Sequence, residues 1–169
     1  MFVNGTSQGV RKKNMDSFEN RYRLMWNDVV YEPGEIKVVA YDQQGKAVEE
    51  KTVKTAGKPY RIELIPDRKN IHADGKDLAY INVRVVDKDG NLCPMDNRMI
   101  QFSVKGNGSY KAAANGDPTS LDLFHKPQMP LFYGQLTTIV QSSEEAGKLT
   151  LTAQAKGVKS ASIAITTNP

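Results

Sequence analysis

The stretch EAGKLTLTAQAKGVKSASIAITT, residues 145–167, opens with an acid and a turn glycine and then alternates apolar with polar residues. Apolar residues at every second position are typical of an antiparallel strand with one buried and one wet face. A second glycine, Gly157, interrupts the alternation and indicates a turn. The stretch therefore predicts a hairpin that covers one side of a core.

Nearly the same pattern occurs earlier, in EPGEIKVVAYDQQGKAVEEKTVKT, residues 32–55. The first glycines of the two stretches, Gly34 and Gly147, are 147 − 34 = 113 residues apart. That spacing is close to the length of one immunoglobulin-like domain, about 100 residues. The repeat therefore predicts two consecutive domains, each closed by this hairpin.

Other alternating stretches, separated by turn signals, fill the chain after Pro59. They predict seven strands, around Tyr60–Leu64, Leu78–Asp87, Arg98–Val104, Tyr110–Ala114, Gln135–Gln141, Lys148–Ala155 and Ser160–Thr166. Seven short strands in roughly 110 residues are typical of an immunoglobulin-like β-sandwich. Because no helical spacing persists beyond about two turns, the predicted fold class is all-β.

The domain organisation follows from these counts. Residues 58–169 are predicted to form a complete immunoglobulin-like β-sandwich domain, and residues 1–57 the C-terminal part of a truncated one. Only about four strands fit before the link TAGKPY at 55–60, and half a sandwich leaves a sheet face uncovered. We therefore expect the chain to be the C-terminal piece of a longer protein.

Composition and charge exclude several functions. The net charge is +4, but the basic residues are scattered among 19 acids, which disfavours a nucleic-acid partner. Cys93 and two histidines are too few for a disulfide, a zinc site or a Cys–His pair, and no cofactor is predicted. No window approaches the roughly 18 apolar residues of a membrane span, so membrane insertion is not expected.

Two motifs that could mark binding sites have simpler explanations. DKDGN resembles the start of a calcium loop, but counting from Asp87 places Leu92 at the turn glycine and Arg98 at the bidentate glutamate. A glycine-containing turn between strands is the better interpretation. Trp26 could be a sugar platform, but the alternation in residues 22–26 favours a strand that buries it.

The segment NGDPTSLDLFHKPQMPLFYGQ, residues 115–135, is long for a connection in a compact domain, and such loops are usually functional or disordered. It contains carboxylates and aromatic rings that together could hold a sugar or contact another domain: Asp117, Asp122, Phe124, His125, Phe132 and Tyr133. The structural alternative is that Asp117 caps a turn while Phe124 and Phe132 anchor the loop on the sandwich.

Several motifs resemble a known family. ELIPDRKNIHADGKDLAYINVRVVDKDGNLCP (63–94), NGDPTS (115–120) and GKLTLTAQAKGVKSASIAI (147–165) resemble the last immunoglobulin-like domain of bacterial family 2 glycoside hydrolases of the β-galactosidase type. YRLMWNDVVYEPGEIKVVAYDQQGKAV (22–48) resembles the domain before it. The resemblance begins partway into that domain and then covers nearly the whole chain.

The resemblance implies a non-catalytic C-terminal accessory region of a β-galactosidase-like enzyme, with the catalytic domain of the parent hydrolase as its partner. The two catalytic glutamates of that family lie on an upstream barrel that nothing here matches, so no catalytic residue is carried over. The parent would be expected in the periplasm or outside the cell. Two alternatives stay open: a carbohydrate-binding module that uses residues 115–135, and a stalk repeat of a bacterial surface adhesin.

Overall fold

The computed structural model describes all residues, 1–169, and contains thirteen strands and no helix. The predicted all-β fold class is confirmed. Consequently no helix is available that could cross a membrane. The chain divides into two compact units, residues 1–55 (the N-terminal unit) and residues 56–169 (the C-terminal unit), with the break two residues before the one expected from the sequence.

The N-terminal unit contains one antiparallel sheet, ordered β2-β1-β3-β4, of the strands β1 (Phe2–Val3), β2 (Thr6–Ser7), β3 (Glu35–Tyr41) and β4 (Ala47–Lys54). Asn4 and Gly5 join β1 to β2, and their φ angles of 47° and 82° are those of a type I′ hairpin turn. The Asn4 side chain accepts a hydrogen bond from the N–H of Glu35 at 2.7 Å, which ties the turn to the start of β3.

Residues 8–34 of this unit contain turns but no strand. The strand expected at residues 22–26 is not formed, and Tyr22 is 73% exposed. Trp26 is partly buried, and its indole N–H donates to the carbonyl of Gly9 at 3.2 Å. The interpretation of Trp26 as an inward-facing strand residue is therefore wrong. Alternation predicts which face would be buried, but a strand also needs a neighbour that supplies its hydrogen bonds.

The C-terminal unit contains nine strands: β5 (Arg61–Pro66), β6 (Asn70–His72), β7 (Leu78–Val86), β8 (Met99–Gly106), β9 (Gly108–Ala114), β10 (Gln128–Pro130), β11 (Gln135–Ser142), β12 (Gly147–Gln154) and β13 (Ala161–Asn168). They form one sheet ordered β5-β7-β11-β9 and another ordered β10-β8-β12-β13-β6. All pairs are antiparallel except β6 with β13. The seven longer strands are those predicted from the sequence, and the two sheets form an immunoglobulin-like sandwich.

The core of the C-terminal unit is built from alternate strand positions of both sheets. At alternate positions of β7 and β12, seven side chains are 0% exposed: Ala79, Ile81, Val83, Val85, Leu149, Leu151 and Ala153. Burying a Val, Leu or Ile side chain contributes about 1.5–3 kcal/mol. The sandwich is therefore held by apolar packing without a disulfide, and the free Cys93 thiol is buried, which raises its pKa.

The DKDGN motif forms a tight turn after β7. The Asp87 carboxylate accepts hydrogen bonds from the N–H groups of Asp89 and Asn91, from the Asn91 side chain and from the N–H of Gly57 at 2.7 Å. These hydrogen bonds, led by the one from the Asn91 side chain and then by that from Gly57, lower the pKa of Asp87 to about 2. The carboxylate is thus a structural acceptor within the turn, and Asp87 is only 2% exposed.

Candidate interaction surface

The long segment singled out in the sequence connects the two sheets of the sandwich. Residues 115–127, here named the edge loop, follow β9, the edge strand of one sheet, and lead into β10, the edge strand of the other. The N–H of Phe102 donates to the carbonyl of Pro127 at 2.8 Å, so the end of the loop also bonds to β8. The edge loop therefore closes one open side of the sandwich.

Asp117 holds the first turn of the edge loop. Its Oδ1 accepts hydrogen bonds from the side chain and the N–H of Thr119, at 2.7 and 2.8 Å. The Thr119 hydroxyl and then its N–H lower the pKa of Asp117. The N–H of Asp117 donates to the Asn115 side chain at 3.0 Å, and the side chain of Asn115 donates to the carbonyl of Pro130 at 3.1 Å. Asp117 therefore caps a turn, as the alternative to a sugar-binding role predicted.

Asp122 has a similar local role. The Ser120 hydroxyl donates to its Oδ2 at 2.9 Å, and the N–H of Asp122 donates back to that hydroxyl at 3.2 Å. Asp122 is itself exposed. Both carboxylates of the loop are therefore engaged by neighbouring residues two positions away.

Tyr110 fixes the returning half of the edge loop. Its hydroxyl donates to the carbonyl of Lys126 at 2.6 Å and lies 3.1 Å from that of Phe124. The Phe124 carbonyl also accepts the N–H of Ala113 at 2.9 Å. The Tyr110 ring stacks on Phe102 with 5.8 Å between centroids, and burial raises the pKa of Tyr110 to about 12. The loop backbone is therefore attached to the sandwich although most of its side chains face solvent.

The apolar side chains of the edge loop point outward. Leu121 is 94% exposed, Leu123 55% and Phe124 60%. His125 is exposed as well. The prediction that Phe124 anchors the loop on the sandwich is therefore wrong. The buried anchors, Met129 and Leu131, follow the loop and lie in or beside β10.

Phe132 and Tyr133 lie at a second turn, between β10 and β11. Tyr133 and Gly134 have φ angles of 50° and 78°, and Phe132 and Gln135 exchange backbone hydrogen bonds, as in a type I′ hairpin turn. The two aromatic rings meet edge to face at 4.5 Å between centroids. Tyr133 is 65% exposed in a backbone conformation that is unusual for an aromatic residue.

The six residues predicted from the sequence therefore divide into two groups. No hydrogen bond or ring contact joins Phe132 or Tyr133 to the four residues of the edge loop. The structure adds Leu121 and Leu123, which sequence reasoning missed because exposed leucines look like core residues in a sequence. Their places on either side of Asp122, in a segment without strand alternation, were the available signal. No cluster of His, Cys, Asp or Glu is arranged to hold a metal ion.

The geometry defines an all-β protein that contains an immunoglobulin-like sandwich and presents a fixed, outward-facing loop. Residues 62–164 match the family described as glycoside hydrolase family 2 C-terminal domain 5, and the chain belongs to this family. Residues 1–49 match a second family, described as a domain of unknown function (DUF4982).

Similar proteins are much longer than this chain. A β-galactosidase, BoGH2A, from Bacteroides ovatus is 42% identical over 98% of this chain, which is 19% of that relative. A β-glucuronidase from Formosa agariphila is 31% identical over 89% of the chain and 15% of its own length. The chain thus spans less than a fifth of the length of these curated relatives.

Solved structures show the same relation. A glycosyl hydrolase family 2 member from Bacteroides cellulosilyticus superposes with a TM-score of 0.87 at 33% identity, over 99% of this chain and 21% of that one. A β-glycosidase from Bacteroides vulgatus gives a TM-score of 0.78 at 28% identity, over 82% of this chain and 18% of that one. The expected resemblance to family 2 glycoside hydrolases is confirmed.

Proposed function

We propose that the chain is the non-catalytic C-terminal accessory region of a β-galactosidase-like family 2 glycoside hydrolase, and that its partner is the catalytic domain of that enzyme. The observation that carries the proposal is the β-galactosidase from Bacteroides ovatus, which aligns over 98% of this chain but only 19% of its own length. The role is architectural, because a packed sandwich holds a neighbouring domain in a fixed position.

The arrangement of the carboxylates agrees with this role. Retaining glycosidases need two carboxyl groups about 5–5.5 Å apart on either side of the scissile bond. In the edge loop, Asp117 and Asp122 instead accept hydrogen bonds from their own turns. Asp87 is likewise occupied by the turn that it closes.

Two measurements test the proposal. The purified chain should not hydrolyse a chromogenic β-galactoside, whereas the polypeptide encoded by its complete reading frame should. Turnover by the chain alone would contradict a non-catalytic role. A reading frame that encodes further sandwiches and no hydrolase would support the adhesin-stalk alternative instead. Comparing β-galactosides with β-glucuronides on the longer polypeptide would select between the activities named for the two curated relatives.

Carbohydrate binding by residues 115–135 is the second candidate, and Tyr133 is the observation that favours it. An exposed aromatic ring that is buttressed by Phe132 offers a flat apolar face on which a sugar ring could stack. Saturation-transfer NMR of the chain with β-linked galactosides should show transfer that Tyr133→Ala removes. If wild-type chain gives no transfer, the accessory role remains alone.

We also propose that the parent protein acts in the periplasm or outside the cell, where a glycan-degrading enzyme meets polymeric substrates. The support is the family resemblance. Fractionation of cells that produce the longer polypeptide, followed by detection of the C-terminal unit, tests this. Recovery in the cytoplasmic fraction would contradict it.

A further inference from the structure

The edge loop presents an apolar surface that nothing in the chain covers. Leu121, Leu123 and Phe124 are 94%, 55% and 60% exposed and occur within four consecutive residues. Single exposed leucines are ordinary on protein surfaces, whereas adjoining ones often mark an interaction site. These three side chains are here named the loop patch.

The backbone beneath the loop patch is fixed. The carbonyl of Phe124 accepts the N–H of Ala113 at 2.9 Å, and that of Lys126 accepts the Tyr110 hydroxyl at 2.6 Å. The N–H of Lys126 donates to the carbonyl of Leu123 at 3.0 Å. The loop backbone is therefore already ordered in the free chain, which reduces the entropic cost of binding a partner.

The polar groups beside the patch are engaged within the loop. Asp117 accepts from Thr119, and Asp122 accepts from Ser120. What these residues offer to a partner is chiefly hydrocarbon and aromatic surface. A sugar would need several convergent polar partners, whereas an apolar protein surface needs none.

The size of the patch indicates the kind of partner. A buried aromatic residue covers on the order of 150–250 Å², so three side chains supply a few hundred square ångströms. A stable complex of two separate molecules buries about 1,200–2,000 Å². A tethered neighbour needs much less, because a linker raises the effective concentration to roughly the millimolar range. Most of the length of the matched relatives lies outside the region that corresponds to this chain.

We propose that the loop patch docks on the catalytic region of the same glycoside hydrolase polypeptide, and this proposal rests on the function proposed above. The surface of the catalytic region that receives the loop patch is itself apolar. Leu121, the most exposed of the three side chains at 94%, inserts furthest into that surface. Tyr110 is a positioning residue for the contact because it holds the backbone on which the patch stands.

Hydroxyl-radical footprinting of the longer polypeptide and of the isolated chain tests the proposal, since the oxidation rate of a side chain follows its exposure. Leu121, Leu123 and Phe124 should oxidise severalfold more slowly in the longer polypeptide. Tyr80, which is 43% exposed on β7, serves as a control that should not change. Leu121→Asp in the longer polypeptide should return Phe124 to the rate of the isolated chain. The same substitution should leave the isolated chain equally stable.

Other outcomes overturn the docking proposal. Equal oxidation rates in both proteins would show that the patch stays free. Protection that rises with concentration in the isolated chain would assign it to a second copy. Protection that requires an added β-galactoside would assign it to a sugar. Hydrolysis of chromogenic galactosides and glucuronides is measured on the same preparation. An active enzyme with an unprotected patch overturns docking alone, whereas an inactive polypeptide overturns the proposed function.

Discussion

The hairpin β3–β4 in the N-terminal unit and the hairpin β12–β13 in the C-terminal unit repeat one sequence pattern with opposite burial. Val38 in β3 and Leu151 in β12 occupy equivalent positions, 113 residues apart. Val38 is 37% exposed and Leu151 is 0% exposed. In the C-terminal unit the sheet that contains β7 and β11 covers the hairpin, whereas the N-terminal unit has a single sheet.

The turn that joins β3 to β4 is built like the turn that follows β7. Asp42 accepts the N–H groups of Gln44 and Lys46, as Asp87 accepts those of Asp89 and Asn91. The starts of the two hairpins also match. The N–H of Asn4 donates to the carbonyl of Glu35, which follows Gly34, and the N–H of Asn107 donates to the carbonyl of Lys148, which follows Gly147. Local sequence therefore determines the hairpin and its turns, while burial depends on strands that come from distant parts of the chain.

The largest expected effect separates the two equivalent positions. Leu151→Ala should destabilise the C-terminal unit by about 2–5 kcal/mol, because it opens a cavity in a closed core. Val38→Ala should lower the free energy of unfolding by well under about 1 kcal/mol, because the Val38 side chain is already exposed to solvent. Urea unfolding followed by circular dichroism measures both, and Trp26 fluorescence reports the N-terminal unit separately. Equal losses would mean that the two hairpins are covered to the same extent.

The next prediction uses the matched aspartates. Asp87→Asn should lower the melting temperature at neutral pH, whereas Asp42→Asn should change it less, because Asp87 also binds Gly57 and the Asn91 side chain. The pKa of Asp87 is depressed to about 2. Its stabilisation is therefore complete above the ordinary aspartate pKa of about 4 and is lost as the pH falls toward 2.

Melting curves between about pH 7 and pH 2 check this prediction. The wild type should lose stability over the acid range, and Asp87→Asn should flatten that part of the profile. An unchanged acid limb in Asp87→Asn would show that other carboxyl groups dominate acid unfolding.

A smaller effect is expected at the glycine that opens the closing hairpin. A Cβ at Gly147 would lie 2.6 Å from Oδ1 of Asn107. Gly147→Ala should therefore destabilise by about 1–2 kcal/mol, and Asn107→Ala in the same chain should recover part of the loss. Urea unfolding of both single variants and the double variant measures the coupling. Strict additivity would mean that the two residues do not touch.

The smallest effect should be a gain in stability. Asn4 and Tyr133 occupy the same position of a type I′ turn, with φ angles of 47° and 50°. Because asparagine tolerates this conformation better than tyrosine does, Tyr133→Asn should stabilise by about 0.5–1 kcal/mol. Thermal unfolding checks it. A loss of stability would show that the ring contact with Phe132 outweighs the backbone strain.

The sequence predicted the seven long strands and the turns because each carries a local signal of alternation or turn chemistry. The strands β6 and β10 were missed, since three residues are too few to show a period. Residues 22–26 show the period but find no strand to pair with. The exposure of Leu121 and Leu123 was missed as well, because it depends on what packs against the edge loop, and their places beside Asp122 do not by themselves determine it.

Hydrogen exchange of the isolated chain tests the central claim that the same hairpin is covered in one unit and open in the other. Amides of β12 and β13 should exchange only when the C-terminal unit unfolds globally, because both strands lie in the covered sheet. Amides of β4, where every residue is exposed, should exchange through local opening at a far smaller free energy. Equal, global protection of both hairpins would contradict the account.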